Sequence, residues 1–125
     1  MREIHDHETN TVNKQLRIEA DERNPENGNA SHVYVLRLPP KTVWENGASH
    51  YIHFQDGPIG VVGINGVTNE ALLAIVADRL QCFQTSEYAC AENQAALSHV
   101  IAALGQLAER TKARESRGVE GTHEV

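Results

Sequence analysis

Four positively charged side chains lie close together near the end of the chain. Arg110, Lys112, Arg114 and Arg117 are four of its eleven lysine and arginine residues, and they fall within eight positions. Residues four apart on a helix project from the same face, so Arg110 and Arg114 can bind one anion together through their forked guanidinium groups. The alternative is a solvated helix end, where cations interact favourably with the helix dipole.

Asn93 is a polar residue in an otherwise apolar row of a predicted helix. At such a position a buried asparagine sets register or oligomeric state, or it hydrogen-bonds a ligand. Phe83, at the end of the preceding predicted helix, belongs either to the core or to the same ligand site. Asn93 and Arg110 would lie about 25 Å apart along one helix. One small ligand can therefore reach both only where two chains pack with their long helices antiparallel, so that the site is shared between subunits.

The last nine residues, RGVEGTHEV, form a short polar tail that contains two glycines. One interpretation is a frayed end, as is common at chain termini. The other is a phosphate site, because glycine lets backbone N–H groups approach an anion closely. The residues of that second site would be Arg117, Gly118, Gly121, Thr122 and His123.

Two helices joined by a short reversal must position these residues. Thr68 is the predicted N-cap of the first helix, which should end near Gln84, and Thr85 or Ser86 is the predicted cap of the second. The first helix has an apolar face at helical spacing, made of Leu72, Leu73, Val76, Leu80 and Phe83. The second has an a/d row, made of Cys90, Asn93, Leu97, Val100, Leu104, Leu107, Thr111 and Arg114.

The two predicted helices differ in length. From residue 86 to residue 117 the second would span about 48 Å, whereas the first would span about 24 Å. Folded back, the first helix can cover only the near half of the second. The far half, with Leu104, Leu107 and Ala108, then needs the N-terminal sheet or a second copy of the chain, and we expect the second copy.

The first 65 residues are predicted to form a small antiparallel β-meander. The predicted strands are residues 14–22, 32–38, 42–45, 50–55 and 59–64, with turns rich in asparagine, glycine and proline between them. Residues 1–13 would be an arm or an edge strand. The predicted fold class is α+β in one compact domain: an N-terminal sheet region (1–65), then a helical hairpin with a long second helix and a C-terminal tail (66–125).

Composition and motifs exclude several functions. The net charge of −6 argues against a partner that is a nucleic-acid polymer, and no apolar run is long enough for a membrane span. The polar N-terminus is not a signal peptide, so we expect a cytoplasmic protein in which Cys82 and Cys90 are free thiols that act as small packing groups. The sequence contains no metal-ligand spacing and no catalytic motif, which predicts a protein that is not an enzyme and needs no cofactor.

The segment from Gly66 to His123 resembles the helical hairpin of phage-encoded cyclic-nucleotide sponges. This family includes the Thoeris anti-defence sponge and the anti-CBASS sponge. The resemblance covers about half of the chain, and it is most specific in the pair NGVTNEALL and RGVEGTH. The added N-terminal strands, with ASHVYVL and HFQDGPI, are similar to the Thoeris-type member.

The resemblance implies sequestration without catalysis. Such proteins bind cyclic ADP-ribose isomers made by TIR-domain proteins, in a pocket between protomers, and keep them from the effector. By position, Phe83 would stack on the base, Asn93 would hydrogen-bond nearby, and Arg110 and Arg114 of the partner chain would bind the diphosphate. Some relatives form hexamers, as trimers of dimers, and bind cyclic di- or trinucleotides of CBASS at a separate site, to which Arg117, Gly118, Gly121, Thr122 and His123 would correspond. The alternative functions are a structural or adaptor protein whose long helix mediates assembly, and a slow hydrolase of the same ligands.

Overall fold

The computed structural model describes residues 1–40, 43 and 45–125. The chain forms two compact units, Met1–Gly66 and Val67–Val125. The first contains the sheet and the second contains the long helices, which confirms the predicted α+β class. The short strand predicted over residues 42–45 depends on residues 42 and 44, which lie outside the described residues.

The first unit is a four-stranded antiparallel meander in the order β1-β2-β3-β4. Its strands are β1 (Arg2–Ile4), β2 (Arg17–Ala20), β3 (Val33–Leu38) and β4 (Ala48–His53). Of the two alternatives for the N-terminus, the edge strand is confirmed, since β1 pairs with β2. The turn between β2 and β3 is closed by Asn24, whose side-chain oxygen accepts a hydrogen bond from the backbone of Glu26 at 3.1 Å.

The register places an apolar row on one side of this sheet and ion pairs on the other side. Ala20, Tyr34 and Ile52 are cross-strand partners on the apolar side, and Ala20 is fully buried. The other side carries ion pairs, in which Arg17 lies 2.6 Å from Glu3 and 3.2 Å from Glu19. The hydrogen bond from Arg17 lowers the pKa of the Glu3 carboxyl. The Arg17–Glu3 pair is solvent-exposed, so it contributes little to stability.

Residues 59–64 do not form the predicted strand. Ile59–Val62 is a single helical turn, α1, in which the Val62 N–H donates to the Pro58 carbonyl at 2.9 Å. Pro58 has a backbone angle suited to a helix start, and Gly63 ends the turn with φ of +78°. A short continuous apolar run is compatible with strand or helix, and here local hydrogen bonds satisfy the backbone.

The second unit is a helical hairpin of α2 (Asn69–Gln84) and α3 (Ala91–Ser116). The predicted N-cap of α2 is confirmed, because the Thr68 hydroxyl accepts from the Ala71 N–H at 3.1 Å. The predicted end of α2 at Gln84 is confirmed as well. With 26 residues, α3 is about 39 Å long, which is shorter than predicted but still longer than the roughly 24 Å of α2.

The predicted start of the second helix at Thr85 or Ser86 is wrong. The hydroxyls of these residues donate to the carbonyls of Cys82 and Phe83, at 2.8 and 2.6 Å, and so complete the last turn of α2 instead. The helix begins after Cys90, whose sulfur accepts from the Asn93 N–H at 3.4 Å. Both cysteines are free, as predicted, but they are exposed and do not act as packing groups.

Burial along α3 follows the predicted a/d row. Leu97 is 6% exposed and is the one buried residue of the second unit among those described. The half-buried members of the row are Asn93, Val100, Leu104, Leu107, Thr111 and Arg114. On α2 the predicted face is only partly correct, since Val76 and Phe83 are exposed. The half-buried positions of α2 include Leu73, Ala77 and Leu80, so the apolar stripe is wider than the surface that α3 covers.

Two glycines of the second unit should respond to alanine in opposite directions. Gly118 has φ of +72° just beyond α3, so Gly118→Ala is expected to lower the free energy of unfolding by about 1 kcal/mol. Gly105 lies inside α3 with no atom within 4 Å of an added Cβ, so Gly105→Ala is expected to raise it by about 0.5–1 kcal/mol. Denaturant unfolding followed by circular dichroism checks both, and shifts of the same sign would contradict this account of the helix end.

Candidate functional site

Phe83 lies in an exposed aromatic cluster at the end of α2. The residue is 40% exposed, and the Arg79 guanidinium carbon lies 5.8 Å from the centroid of the Phe83 ring. The Tyr88 ring stands edge-on to Phe83, with centroids 6.4 Å apart and planes at 76°. Arg79, Phe83 and Tyr88, here called the aromatic cluster, therefore combine a cation with two rings that are open to solvent, an arrangement suited to stacking on a flat aromatic group.

The reversal that carries Tyr88 is held together by the side chain of Gln84. Its amide nitrogen donates to the Cys90 carbonyl at 3.2 Å, and its amide oxygen accepts from the Cys90 N–H at 3.1 Å. This pair of hydrogen bonds fixes the end of α2 relative to the start of α3. The aromatic cluster is thus attached to an ordered turn.

Sequence reasoning found Phe83 but missed Arg79 and Tyr88. The signal for Arg79 was its separation of four residues from Phe83, which places the two on one helix face. The signal for Tyr88 was a large aromatic residue in a short polar connection. Neither pattern is specific, because an arginine and a tyrosine at these positions are also compatible with two separate surface side chains that form no site.

Asn93 lies half-buried in the first turn of α3. Its backbone N–H binds Cys90, but its side-chain amide has no hydrogen-bond partner within the described residues. A half-buried amide without a partner is able to bind a group from outside the chain. A half-buried amide without a partner is compatible with both predicted roles of Asn93, as a ligand contact or as a determinant of register between two chains.

The two predicted anion-binding arginines differ in their surroundings. Arg110 is exposed and has no hydrogen-bond or ion-pair partner in the part of the chain that the structure describes. Arg114 has a side chain only 12% exposed, and its Nε donates to the Glu120 carboxylate at 3.0 Å. Arg110 is therefore available to an anion, whereas Arg114 is already paired.

The tail forms an ordered cap on α3. The Gly118 N–H donates to the Glu115 carbonyl and the Val119 N–H donates to the Arg114 carbonyl, both at 3.0 Å. These two bonds and the left-handed conformation of Gly118 define a Schellman motif. The chain beyond it curls back toward the helix, so the frayed-end interpretation does not describe this structure.

Several donors predicted for a second phosphate site are used inside this cap. An Nη of Arg117 donates to the Val125 main-chain oxygen at 3.0 Å. The Thr122 N–H and hydroxyl both donate to the Val119 carbonyl, at 3.1 and 2.5 Å. Gly121 supplies a second left-handed residue, with φ of +79°. Binding of a nucleotide by Arg117, Gly118, Gly121, Thr122 and His123 stays a prediction, and it would require these bonds to be exchanged.

The two halves of the predicted site lie on one continuous helix. Asn93 is in its first turn and Arg110 is 17 residues further on, a separation of about 25 Å. In a single chain the aromatic cluster and Asn93 therefore form one half-site. Arg110 and Arg114 form a second half-site further along the same helix. No three His, Cys, Asp or Glu side chains of the described residues are grouped so as to hold a metal ion, and none of the described helices has the length and hydropathy of a membrane span.

The chain is similar to a known phage protein over part of its length. No protein-family model matches the chain. Over 73 residues it is 53% identical to Thoeris anti-defense 1 of Bacillus phage SBSphiJ7, a match that covers 58% of this chain. The matched segment is 51% of the phage protein, so the chain spans about half the length of this curated relative. Over the matched segment the chain is similar to Thoeris anti-defense 1, in agreement with the resemblance found in the sequence.

Proposed function

We propose that this chain is a phage or prophage anti-defence protein that binds cyclic ADP-ribose-type signals made by TIR-domain proteins. It would hold them without degrading them, so that the Thoeris effector is not activated. The observation that carries the proposal is the 53% identity to a phage protein named for Thoeris anti-defence. The chemistry of the two half-sites is consistent with it.

The proposed ligand combines a flat purine base with a diphosphate. A base needs an aromatic surface, and the Phe83 ring with its neighbours Arg79 and Tyr88 offers one that is open to solvent. A diphosphate needs forked, permanently charged donors, and the Arg110 guanidinium is free to supply them. The Asn93 amide adds a hydrogen-bonding group on the same helix.

The separation of the half-sites favours two copies of the chain. If two long helices pack antiparallel, Phe83 and Asn93 of one copy come close to Arg110 and Arg114 of the other, and two equivalent ligand sites form. Such a site excludes water, which strengthens charge-assisted hydrogen bonds and helps the protein to compete with an effector. The working unit would be a homodimer or a hexamer built from three dimers.

The exposed apolar surface of the hairpin supports such an assembly. Ile75, Val76 and Ile101 are large apolar side chains at least 45% exposed, while Leu97 is the single buried side chain among the described residues of the second unit. Burial of this surface against another copy would add the hydrophobic stabilisation that the hairpin otherwise lacks. The same observation favours the second candidate function, a structural or adaptor protein that uses α3 only for assembly.

Ligand release followed by mass spectrometry separates the two candidates. The protein is incubated with a panel of cyclic ADP-ribose isomers, passed through a desalting column and heat-denatured. A sequestering protein should release one or more isomers unchanged, even after long incubation. Release of linear products would support a hydrolase, and the absence of any retained nucleotide would support the adaptor.

Light scattering coupled to size-exclusion chromatography tests the shared site. We expect the protein to elute at a mass of two or six chains, with and without cyclic ADP-ribose. A strictly monomeric protein that still retains the ligand would contradict a site built from two copies. A monomer that retains no ligand would contradict the proposed function itself.

A further inference from the structure

Arg114 is surrounded by oxygen atoms of its own C-terminal tail. Besides the Glu120 carboxylate on Nε, one terminal nitrogen donates to the Val119 carbonyl at 2.9 Å, and the other donates to the Glu124 carbonyl at 2.8 Å. Longer contacts of 3.4 Å reach the main-chain oxygens of Thr122 and Val125. All three guanidinium nitrogens are thus engaged, and the side chain is nearly buried.

The tail reaches this position through two backbone reversals. Gly118 and Gly121 both have φ above +70°, a conformation that glycine adopts without a steric penalty. Between and after them, the Thr122 hydroxyl donates to the Val119 carbonyl and accepts from the Glu124 N–H at 3.1 Å. The result is a ring of main-chain oxygens and one carboxylate around the guanidinium.

This ring uses the same N–H donors of Arg114 that a phosphate group would use. A guanidinium binds a phosphate through parallel N–H donors to charged oxygens, and a carboxylate with adjacent carbonyl oxygens satisfies those same donors. Arg114 cannot bind both at once, because its donors are in use. Arg110, four residues earlier on the same face, has no such partner among the described residues.

We propose that the tail, Val119–Val125, is a built-in competitor that occupies the anion-binding position of Arg114 until the ligand displaces it. This inference rests on the proposed function. Arg110 makes the first contact with the diphosphate, and Arg114 joins only after Glu120 is exchanged for a phosphate oxygen. Glu120 thereby lowers the affinity for every anion at this position, and it favours ligands with enough charge to replace a carboxylate.

Glu120→Gln is the variant that tests the competition, and Glu124→Gln is its matched control. Both substitutions remove one negative charge from the same short tail. Only the Glu120 carboxylate contacts Arg114, since Glu124 uses its main-chain oxygen, which the substitution retains. By isothermal titration with cyclic ADP-ribose isomers, Glu120→Gln should bind roughly two- to fivefold more tightly than the unmodified protein, while Glu124→Gln should match it to within about twofold.

Hydrogen–deuterium exchange provides an independent measurement of the tail. Glu120→Gln should exchange faster over residues 119–125 than Glu124→Gln, and the cyclic ADP-ribose isomer that binds most tightly should accelerate exchange there in the unmodified protein. If that isomer binds while tail exchange is unchanged, and both variants bind like the unmodified protein, the competition is refuted and the proposed function stands. If no isomer binds to any of the three proteins, the proposed function fails and the competition fails with it.

Discussion

Replacing Arg110 with alanine is expected to weaken the binding of cyclic ADP-ribose isomers on the order of 10- to 100-fold, which corresponds to the loss of a charge-assisted contact. Arg110 is exposed and unpaired within the described residues, so its removal should leave the free energy of unfolding unchanged within about 0.5 kcal/mol. A loss of affinity without a loss of stability would assign Arg110 to the ligand.

Lys112→Ala is the control for this experiment. Lys112 is also an exposed cation of α3, but it is two residues from Arg110 and therefore projects from a different part of the helix surface. The Lys112→Ala substitution should reduce the affinity for cyclic ADP-ribose isomers by less than about threefold, because it removes only long-range attraction. Equal effects at Arg110 and Lys112 would indicate that general positive charge, and not a defined contact, attracts the ligand.

Arg114→Ala extends the same experiment to the second arginine. Its loss should weaken binding less than the loss of Arg110, because the contact that Arg114 makes with the ligand replaces the contacts that it gives up with the tail. It should also release residues 119–125, which exchange measurements would detect. Unchanged affinity in both arginine variants would refute the assignment of the diphosphate to this cluster.

Leu97→Ala is expected to cost about 3 kcal/mol of unfolding free energy. Leu97 is the buried member of the a/d row, and its truncation removes buried apolar contacts and creates a cavity. With so few other buried side chains in the second unit, a loss of this size should unfold much of the hairpin. Denaturant unfolding at one fixed protein concentration measures it, so that any change in assembly does not enter the comparison.

Ile101→Ala tests whether a second copy covers α3, since Ile101 lies one turn beyond Leu97 and is 53% exposed in the single chain. In the free chain its truncation should cost less than about 1 kcal/mol. A cost at Ile101 as large as that at Leu97 would mean that a second copy covers this face in solution. In that case the cost at Ile101 should also increase as the protein concentration rises.

Local patterns in the sequence were sufficient for most of the architecture. Thr68 caps α2 because a hydroxyl at that position satisfies a free backbone N–H whatever the rest of the molecule does. The three-and-four spacing of α3 matches its burial, because helical periodicity alone determines which residues share a face. The antiparallel meander also follows chain order, since each strand pairs with the next one along the sequence.

Where two local outcomes were possible, only the folded chain decided between them. The run at residues 59–62 became a helical turn and not a strand, and the hydroxyls of Thr85 and Ser86 ended one helix instead of beginning the next. Each of these segments can satisfy its backbone hydrogen bonds in more than one way. The observed partners are the nearby carbonyls of Pro58, Cys82 and Phe83, and hydrophobic periodicity does not distinguish them from the alternatives.

The candidate site shows the same division. Residue types and spacing made Phe83, Asn93, Arg110 and Arg114 candidates and gave the distance of about 25 Å between Asn93 and Arg110, while the family resemblance supplied the roles expected of them. The tertiary structure alone revealed that Arg110 has no partner among the described residues while Arg114 is bound to the tail. A guanidinium pairs with whichever oxygens the folded chain places next to it. Sequence periodicity does not predict the contact between Arg114 and the tail.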